Sequence, residues 1–193
     1  MSKKEQLLTT ALQLFNQHGS NNVTTNHIVE ALGISPGNFY YYFKNKEEII
    51  CALFEQMIQT WDTAVQAFEL PQSFEKALDM HIDLGATFYT KYLFIHKELS
   101  SLVKNDQKFE SIHHDIHARR LKEFKLLLGY FIGKGELIPM SETTQDFIID
   151  TLWIYSLFWL PYIEISGEDV CEASILKVKQ HFKQLLQPYL ASH

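Results

Sequence analysis

The sequence predicts an all-α protein, and three observations lead to this prediction. Only 8 glycines and 5 prolines occur in 193 residues, which is few for a chain rich in turns. Apolar residues recur at intervals of three and four along most of the chain, and this is the period of a helix. Apolar and polar residues do not alternate, as they typically do in a strand, over a useful length anywhere in the sequence. We therefore predict about nine helices, and with 46% hydrophobic residues the chain can bury a sizeable core.

The first two predicted helices are recognised by their periodicity and their ends. Residues 5–18 place apolar side chains on one helical face, and Gly19 follows as a C-terminal cap. A second, short helix begins at Thr24 and Thr25, whose hydroxyls can cap its N-terminus, and it stops at Gly33.

A third helix must begin almost at once, because Ser35 and Pro36 pair a capping residue with the helical position that tolerates proline. It ends near Phe43, and Asn45 caps a fourth helix that begins at Lys46. Two short helices joined by a tight turn, with a first helix packed across them, are typical of the helix-turn-helix. The spacing therefore predicts a three-helix DNA-binding domain.

We place this domain at residues 1–46, followed by a larger helical domain for ligand binding and dimerisation at residues 47–193. Turn signals divide the second domain at Pro71, around Asn105, at Gly133–Gly135 and at Gly167. The predicted helices span residues 46–68, 72–90, 91–103, 106–131, 142–163 and 168–190.

The helix predicted at 142–163 is apolar around most of its circumference, so it must be buried on two sides. One side can face the core of the subunit and the other a partner subunit, which predicts a homodimer through residues 142–190. A central helix inside a single larger core is the alternative. The most apolar run, residues 151–163, is shorter than the roughly 17–25 residues that span a bilayer, so no membrane association is expected.

The charge of the chain argues against a general binder of polyanions, because its net value is −6. That charge is unevenly distributed. Residues 1–50 hold four lysines, four glutamates and no arginine, so the acidity belongs to the rest of the chain. The N-terminus lacks the pattern of a signal peptide, and we expect Cys51 and Cys171 to be buried, reduced thiols in the cytoplasm.

The segment at residues 24–48, TTNHIVEALGISPGNFYYYFKNKEE, resembles the DNA-binding region of the tetracycline-repressor (TetR/AcrR) family. Its run SPGNFYYYFKNKE is similar to that of the multidrug-binding repressors in the family. The resemblance implies a ligand-responsive repressor that binds a palindromic operator in double-stranded DNA as a dimer. A small apolar or aromatic inducer would release it.

Several residues of this segment have chemistry suited to DNA. Thr25 can offer its hydroxyl and helix N-terminal N–H groups to a phosphate, although a simple capping role is the alternative. The N-terminal end of the third helix is the end that meets base edges in the major groove, and its tyrosines can reach phosphates or a thymine methyl. The resemblance adds Asn26 as a base-reading position and Lys46 as a phosphate contact. The predicted DNA-binding residues are Thr25, Asn26, Ser35, Pro36, Gly37, Asn38, Tyr40, Tyr41 and Lys46.

The second domain is rich in aromatic residues with few charges between them, which favours a largely apolar ligand. Each of these residues can equally belong to a packed core. Phe68 is one of the aromatic candidates, and Trp61 is favoured because the resemblance places it where the fourth helix turns toward ligand. The predicted ligand-binding residues are Trp61, Phe88, Tyr92, Phe109, His113, Phe124 and Trp153.

His113 and His117 are four residues apart and share a helical face with His114 nearby, a spacing that can hold a metal. Two ligands do not make a site, so we expect these histidines to be exposed or part of the core, with ligand contact as an alternative. We expect no cofactor and no enzymatic activity, because neither a nucleophile–base pair nor a phosphate-cradling loop can be recognised in the sequence. A helical ligand-binding or scaffolding module without DNA binding is the remaining alternative.

Overall fold

A computed structural model describes residues 1–67 and 71–191. This part of the chain forms nine α-helices and two 3₁₀ turns, with no extended strand, which confirms the predicted class. The α-helices are α1 (Lys3–His18), α2 (Thr25–Leu32), α3 (Pro36–Tyr42), α4 (Lys46–Gln66), α5 (Phe74–Lys91), α6 (Leu93–Asn105), α7 (Gln107–Gly133), α8 (Glu142–Ile165) and α9 (Glu172–Leu186). The 3₁₀ turns are Ser20–Asn22 and Gln187–Tyr189. Phe68, at the end of the predicted fourth helix, lies outside the described residues.

The chain folds into two compact units. One comprises Met1–Gln66 with Lys91–His114, and the other comprises Ala67–Thr90 with Asp115–His193. We call them the first unit and the second unit. Helix α7 contributes its first two turns to the first unit and the remainder to the second.

In the first unit, α1 packs against α2, α4 and α6. It buries Leu7, Ala11 and Phe15, which lie four residues apart and therefore form one stripe. The ring of Phe15 lies 5.1 Å from that of Phe94 on α6. Gly19 ends the helix, as predicted, because its φ of 79° is a conformation that residues with a Cβ rarely adopt.

The two short helices form as the sequence predicts. Thr24 caps α2 by accepting a hydrogen bond from the backbone N–H of His27, and Gly33 ends the helix in the left-handed region with a φ of 61°. Ser35 occupies the N-cap position of α3, but its side chain makes no capping hydrogen bond, contrary to expectation. Phe39 anchors α3 because its side chain is fully buried.

The second unit is built around α8. Ser141 caps the helix by accepting a hydrogen bond from the backbone N–H of Thr144, and the helix continues through Pro161 to Ile165. Its buried face consists of Ile148, Ile149, Leu152, Leu160 and Ile163, and the buried residues of α9 include Val178, Phe182 and Leu186. This side of α8 is therefore part of the core, as the sequence predicts.

The other side of α8 is not covered by the described residues. Its exposed side chains are mostly apolar, with exposed fractions between 57% for Ile154 and 85% for Ile165. Together they form a face that we call the α8 stripe, which consists of Phe147, Ile154, Phe158, Tyr162 and Ile165. Their spacing of three, four and seven residues keeps them on one side of the helix.

Candidate nucleic-acid interface and ligand-binding region

Helix α3 presents aromatic residues on both its inner and its outer side. Phe39 and the following Phe43 are buried, whereas Tyr40 is 56% exposed and Tyr41 is 80% exposed. The Tyr40 ring packs edge-on against Phe39 with ring centroids 5.5 Å apart, so a buried anchor supports an exposed phenol. The two predicted contact tyrosines are therefore exposed at the surface rather than packed in a core.

The N-terminal end of α3 lies on the same exposed surface. Ser35, Pro36, Gly37 and Asn38 are all exposed. A Cβ added to Gly37 would approach only the Ser35 hydroxyl, at 3.9 Å, so the surrounding fold does not require glycine here. Close approach of another molecule remains a reason for glycine at this position.

The N-terminus of α2 is closed by a reciprocal pair of hydrogen bonds. Thr24 accepts from the His27 backbone, and the Thr24 N–H donates to His27 Nδ1 at 3.3 Å. Thr25 is half-buried and Asn26 is exposed at the first two helical positions. Because Thr24 performs the capping, Thr25 is not needed for that role, and contact of its hydroxyl with a phosphate stays a prediction.

Lys46 at the start of α4 is half-buried and already has a partner. Its Nζ donates to the backbone carbonyl of Ser20 at 2.7 Å. An ammonium group has three protons, so this bond leaves two for a phosphate. The same serine is held by Glu98 of α6, whose carboxylate accepts bonds from the Ser20 N–H at 2.7 Å and from the Ser20 hydroxyl.

Sequence reasoning missed Ser20 and Glu98. They are 78 residues apart, and local periodicity carries no information about such a pair. The one available signal was Ser20 itself, a small polar residue directly after the glycine that ends α1.

Four of the predicted ligand-binding residues lie in the first unit, in its aromatic core or beside it. Tyr92 and Phe109 are fully buried, and Phe109 stacks on Phe54 with centroids 4.4 Å apart. The half-buried ring of His113 lies 6.3 Å from Phe54. Trp61, on α4, is half-buried.

The remaining three lie in the second unit. Phe88 is buried, while Phe124 and Trp153 are half-buried, with their ring centroids 6.5 Å apart. Phe124 borders a cavity of about 40 Å³, which on the usual scale holds about three water molecules. The cavity lining is formed by Phe74, Ala77, Leu78, His81, Phe124, Leu127, Leu128, Leu152, Ser156 and Phe182.

His81 is the one titratable group on this cavity wall. Burial, together with the smaller effect of the positive charge of nearby Arg120, lowers its pKa to about 4. The imidazole is therefore neutral near pH 7, and its ring packs edge-on against Phe124 at 5.1 Å. A cavity with this lining suits an apolar molecule that carries a single hydrogen-bonding group.

The comparisons with known proteins match these features. Residues 7–53 match the family model "Bacterial regulatory proteins, tetR family", and residues 54–193 match the model "Bacterial transcriptional repressor". The chain belongs to the TetR family. It is a transcriptional regulator with a helix-turn-helix DNA-binding domain, as are its relatives, which are not enzymes.

Individual relatives of this TetR-family protein support the assignment over different lengths. It is 23% identical to the "Probable HTH-type transcriptional regulator YttP" of Bacillus subtilis, over 85% of this chain and 79% of that protein. It is 38% identical to the class C tetracycline repressor of Escherichia coli, over 29% of this chain and 26% of the repressor. A TetR-family regulator from Marinobacter aquaeolei has a TM-score of 0.83, with 27% identity, 99% of this chain covered and 92% of that chain covered.

Regulators of the TetR family are soluble proteins that bind DNA operators and small molecules and work as dimers. In this member, α8 is nevertheless long and apolar enough to cross a membrane by length and composition, and 33% of its most apolar window is buried within the chain. The helix has 24 residues, whereas the most apolar run in the sequence, residues 151–163, has 13.

The histidines of α7 do not come together as a metal site. Within the described residues, no group of three or more metal-ligating side chains is found. The His113 and His114 rings are 6.2 Å apart, and His117 packs on Trp153 at 4.9 Å. His113 and His117 thus contact aromatic residues and are half-buried, whereas His114 is exposed.

The prediction that both cysteines are buried is wrong for one of them. Cys51 is buried, and burial raises the pKa of its thiol to about 11, so it is unreactive. Cys171 is exposed because it occupies the N-cap of α9, at the end of a surface loop. Hydrogen bonds from the backbone of Ser174 and Ala173 lower the pKa of its thiol.

Proposed function

We propose that this protein is a ligand-responsive repressor that binds a palindromic DNA operator as a dimer. The observation that carries the proposal is the exposed surface of α3, where Tyr40 and Tyr41 stand beside the exposed N-terminal residues of the helix while Phe39 fixes it from within. Thr25, Asn26 and the backbone at the start of α2 supply further donors.

In this proposal α3 of each subunit lies in a major groove, with its N-terminal residues against base edges. Two such helices reach half-sites separated by one helical turn, about 34–36 Å, or by a multiple of it. The recognition helix has no arginine, so guanine recognition by a bidentate guanidinium is excluded. Affinity rests on hydroxyl, amide and helix-terminus contacts, supplemented by Lys46.

The test begins with selection of an operator from a randomised duplex library by the purified protein, followed by fluorescence anisotropy with the recovered duplex. Tyr40→Ala and Lys46→Ala are each expected to weaken binding by about tenfold, since one contact to DNA contributes about 1–3 kcal/mol. The matched controls are Tyr130→Ala and Lys76→Ala, which remove the same side-chain types from the second unit. Wild-type affinity in both Tyr40→Ala and Lys46→Ala would refute the proposed interface.

The salt dependence gives a second test of the same interface. Because residues 1–50 carry no net charge, few counterions are released on binding. A plot of log K against log salt concentration is expected to have a slope no steeper than about −8 for the dimer. A steeper slope would indicate a basic surface that this proposal does not contain.

For the dimer, we propose an interface within residues 142–190. The α8 stripe supports it, because five large side chains are exposed along one side of a helix whose other side is in the core. Leu176 of α9 adds a further exposed apolar side chain, at 55%. A second α8 and α9 would remove this surface from water, which also accounts for an apolar helix in a soluble protein.

For the ligand, we propose a largely apolar or aromatic molecule bound by the aromatic residues of 47–193, among them Phe124 and Trp153. The apolar cavity beside Phe124 supports this choice, although it must widen to admit a molecule larger than a few waters. Native mass spectrometry of the purified protein is the direct test. A bound apolar compound that raises the operator Kd supports the proposal, and a sugar or nucleotide with that effect contradicts it.

The competing function, a helical module that does not bind DNA, is favoured by one observation, the zero net charge of residues 1–50. Library selection decides between the two, because such a module recovers no preferred sequence.

The proposed repressor must reach the chromosome, which requires location in the cytoplasm. Its DNA-binding domain would comprise residues 1–46, and its ligand-binding and dimerisation domain would comprise residues 47–193.

A further inference from the structure

Ser20 is a buried polar residue that links α6 and α4 through hydrogen bonds. It is 2% exposed, and each of its polar groups has a partner. Its N–H and its hydroxyl donate to the two carboxylate oxygens of Glu98, and its carbonyl accepts from Lys46 Nζ at 2.7 Å. Ser20 therefore stands between a carboxylate on α6 and the ammonium group at the start of α4.

The backbone beside Ser20 is shaped to admit that carboxylate. A Cβ added to Gly19 would lie 3.2 Å from Glu98 Oε1, closer than most real contacts, and its φ of 79° already disfavours other residues. Glycine at this position thus serves two purposes: it ends α1, and it leaves room for the carboxylate of Glu98.

A second hydrogen-bonded contact, at Asn16, holds the start of α6 and the end of α5 against α1. The Asn16 side chain donates to the Lys91 carbonyl at 2.8 Å and accepts from the Phe94 N–H at 3.1 Å. Asn16 lies in the last turn of α1 and Ser20 directly follows the glycine that ends it, so the two contacts lie along one seam between the C-terminal end of α1 and α6. This seam fixes the direction from which Glu98 reaches Ser20.

We propose that Glu98 is a positioning residue for DNA binding, which acts through Ser20 on Lys46. The carboxylate holds Ser20 in place, and the Ser20 carbonyl then orients the Lys46 ammonium group so that its remaining protons face a phosphate. The proposal rests on the proposed DNA-binding function, and it assigns to α6 a residue of the DNA-binding machinery that never touches DNA.

Simple electrostatics predicts the opposite effect for this residue. Removing a carboxylate from the DNA-binding unit makes that unit more positive, which should tighten binding to any DNA. Removing a positioning residue should weaken it. The sign of the change in Kd for Glu98→Ala therefore distinguishes the two roles.

The experiment measures Kd for the duplex recovered by library selection, with the full-length chain. Glu98→Ala is expected to weaken binding about tenfold, and Glu98→Gln, which can still accept from the Ser20 N–H and donate to the Ser20 oxygen, to restore most of it. Glu30→Ala is the matched control, because it removes an exposed carboxylate from the same unit, and it should bind at least as tightly as wild type.

A double-mutant cycle tests the route through Lys46. If Glu98 acts through Lys46, Glu98→Ala in a Lys46→Ala background has no further effect on Kd. Independent, additive losses would overturn the proposal, as would wild-type or tighter binding by Glu98→Ala. Failure to fold does not imitate the expected result, because loss of the fold would weaken binding in the Lys46→Ala background as well. Absence of DNA binding by the wild-type protein would instead refute the proposed function.

Discussion

Helices α3 and α8 both expose aromatic side chains, and they do so with opposite chemistry. Helix α3 exposes two phenols, Tyr40, whose ring packs edge-on against buried Phe39, and Tyr41. Helix α8 exposes Phe158 together with aliphatic neighbours and one phenol, Tyr162. A surface of hydroxyls next to helix N-terminal N–H groups suits a hydrated, anionic partner such as DNA, whereas a surface of hydrocarbon suits another protein surface.

The same contrast holds for polar contacts. In the first unit, the buried Ser20 binds the carboxylate of Glu98 and the ammonium group of Lys46. In the second, α5 and α9 are joined by exposed ion pairs, Lys179 with Asp83 at 2.7 Å and Lys183 with Glu75 at 2.6 Å. Burial makes the first arrangement sensitive to any change, while solvent and salt weaken the second.

The largest effect is expected on the α8 stripe. The double substitution Ile154→Glu with Phe158→Glu would bury unpaired carboxylates in the proposed interface and raise the dimer dissociation constant about a thousandfold or more. Sedimentation velocity measures this directly. Val65→Glu on α4 changes an exposed apolar residue outside residues 142–190 and should leave the dimer intact. A double variant that remains dimeric would place the interface elsewhere.

The next effect concerns pH, because each unit holds a histidine whose pKa is lowered to about 4 by burial, His96 in the first and His81 in the second. Since the folded protein favours the neutral ring, the stabilisation is complete above pH 6.5 and is lost as pH falls toward 4. At pH 5 each histidine should cost about 2 kcal/mol of unfolding free energy.

Urea unfolding at pH 7 and pH 5 measures this loss. His81→Leu and His96→Leu should each reduce the difference between the two pH values, and the exposed His114→Leu should not. An unchanged pH dependence in both buried variants would mean that these rings already bind a proton in the folded state.

A smaller effect distinguishes the contribution of the tyrosine hydroxyl from that of the tyrosine ring on α3 and on α8. Tyr40→Phe and Tyr41→Phe keep the ring and remove one hydroxyl, and each should weaken operator binding about fivefold, or about 1 kcal/mol. Tyr162→Phe should leave the dimer dissociation constant unchanged, since hydrocarbon contact dominates there. If the phenylalanine variants of α3 bind DNA as tightly as wild type, the rings rather than the hydroxyls make the contact.

The smallest effect is expected for the exposed ion pairs. Lys183→Ala should lower the unfolding free energy by less than about 1 kcal/mol, because its side chain is 40% exposed and that of Glu75 is 66% exposed. The loss of unfolding free energy should be smaller still in about 0.5 M salt, because salt screens the attraction between exposed charges. A larger, salt-independent loss would show that Lys183 stabilises the second unit through packing.

The helix boundaries could be predicted because their determinants are local. Gly19, Thr24, Gly33 and Asn45 fix the ends of successive elements through hydrogen bonds and φ angles within a few residues. Ser35 shows the limit of such reasoning, because the position was predicted but its expected capping bond does not form.

Candidate ligand residues were harder to predict, because an aromatic residue at a helical interval is equally suited to a core and to a cavity. Tyr92 and Phe109 are completely buried, whereas Phe124 borders a cavity. The sequence gives all three the same pattern. Which of them is buried depends on the helices that pack over it, and those helices are distant in the chain.

By itself, the sequence determined the helical class, the helix-turn-helix and the amphipathic faces, because periodicity and capping act over one or two turns. Only the tertiary structure decided that Glu98 meets Ser20 and that the described residues leave one side of α8 uncovered. The reason is physical: a carboxylate selects its donors by distance and burial once the helices have packed, and the chain between residues 20 and 98 contains no local feature that specifies the pairing.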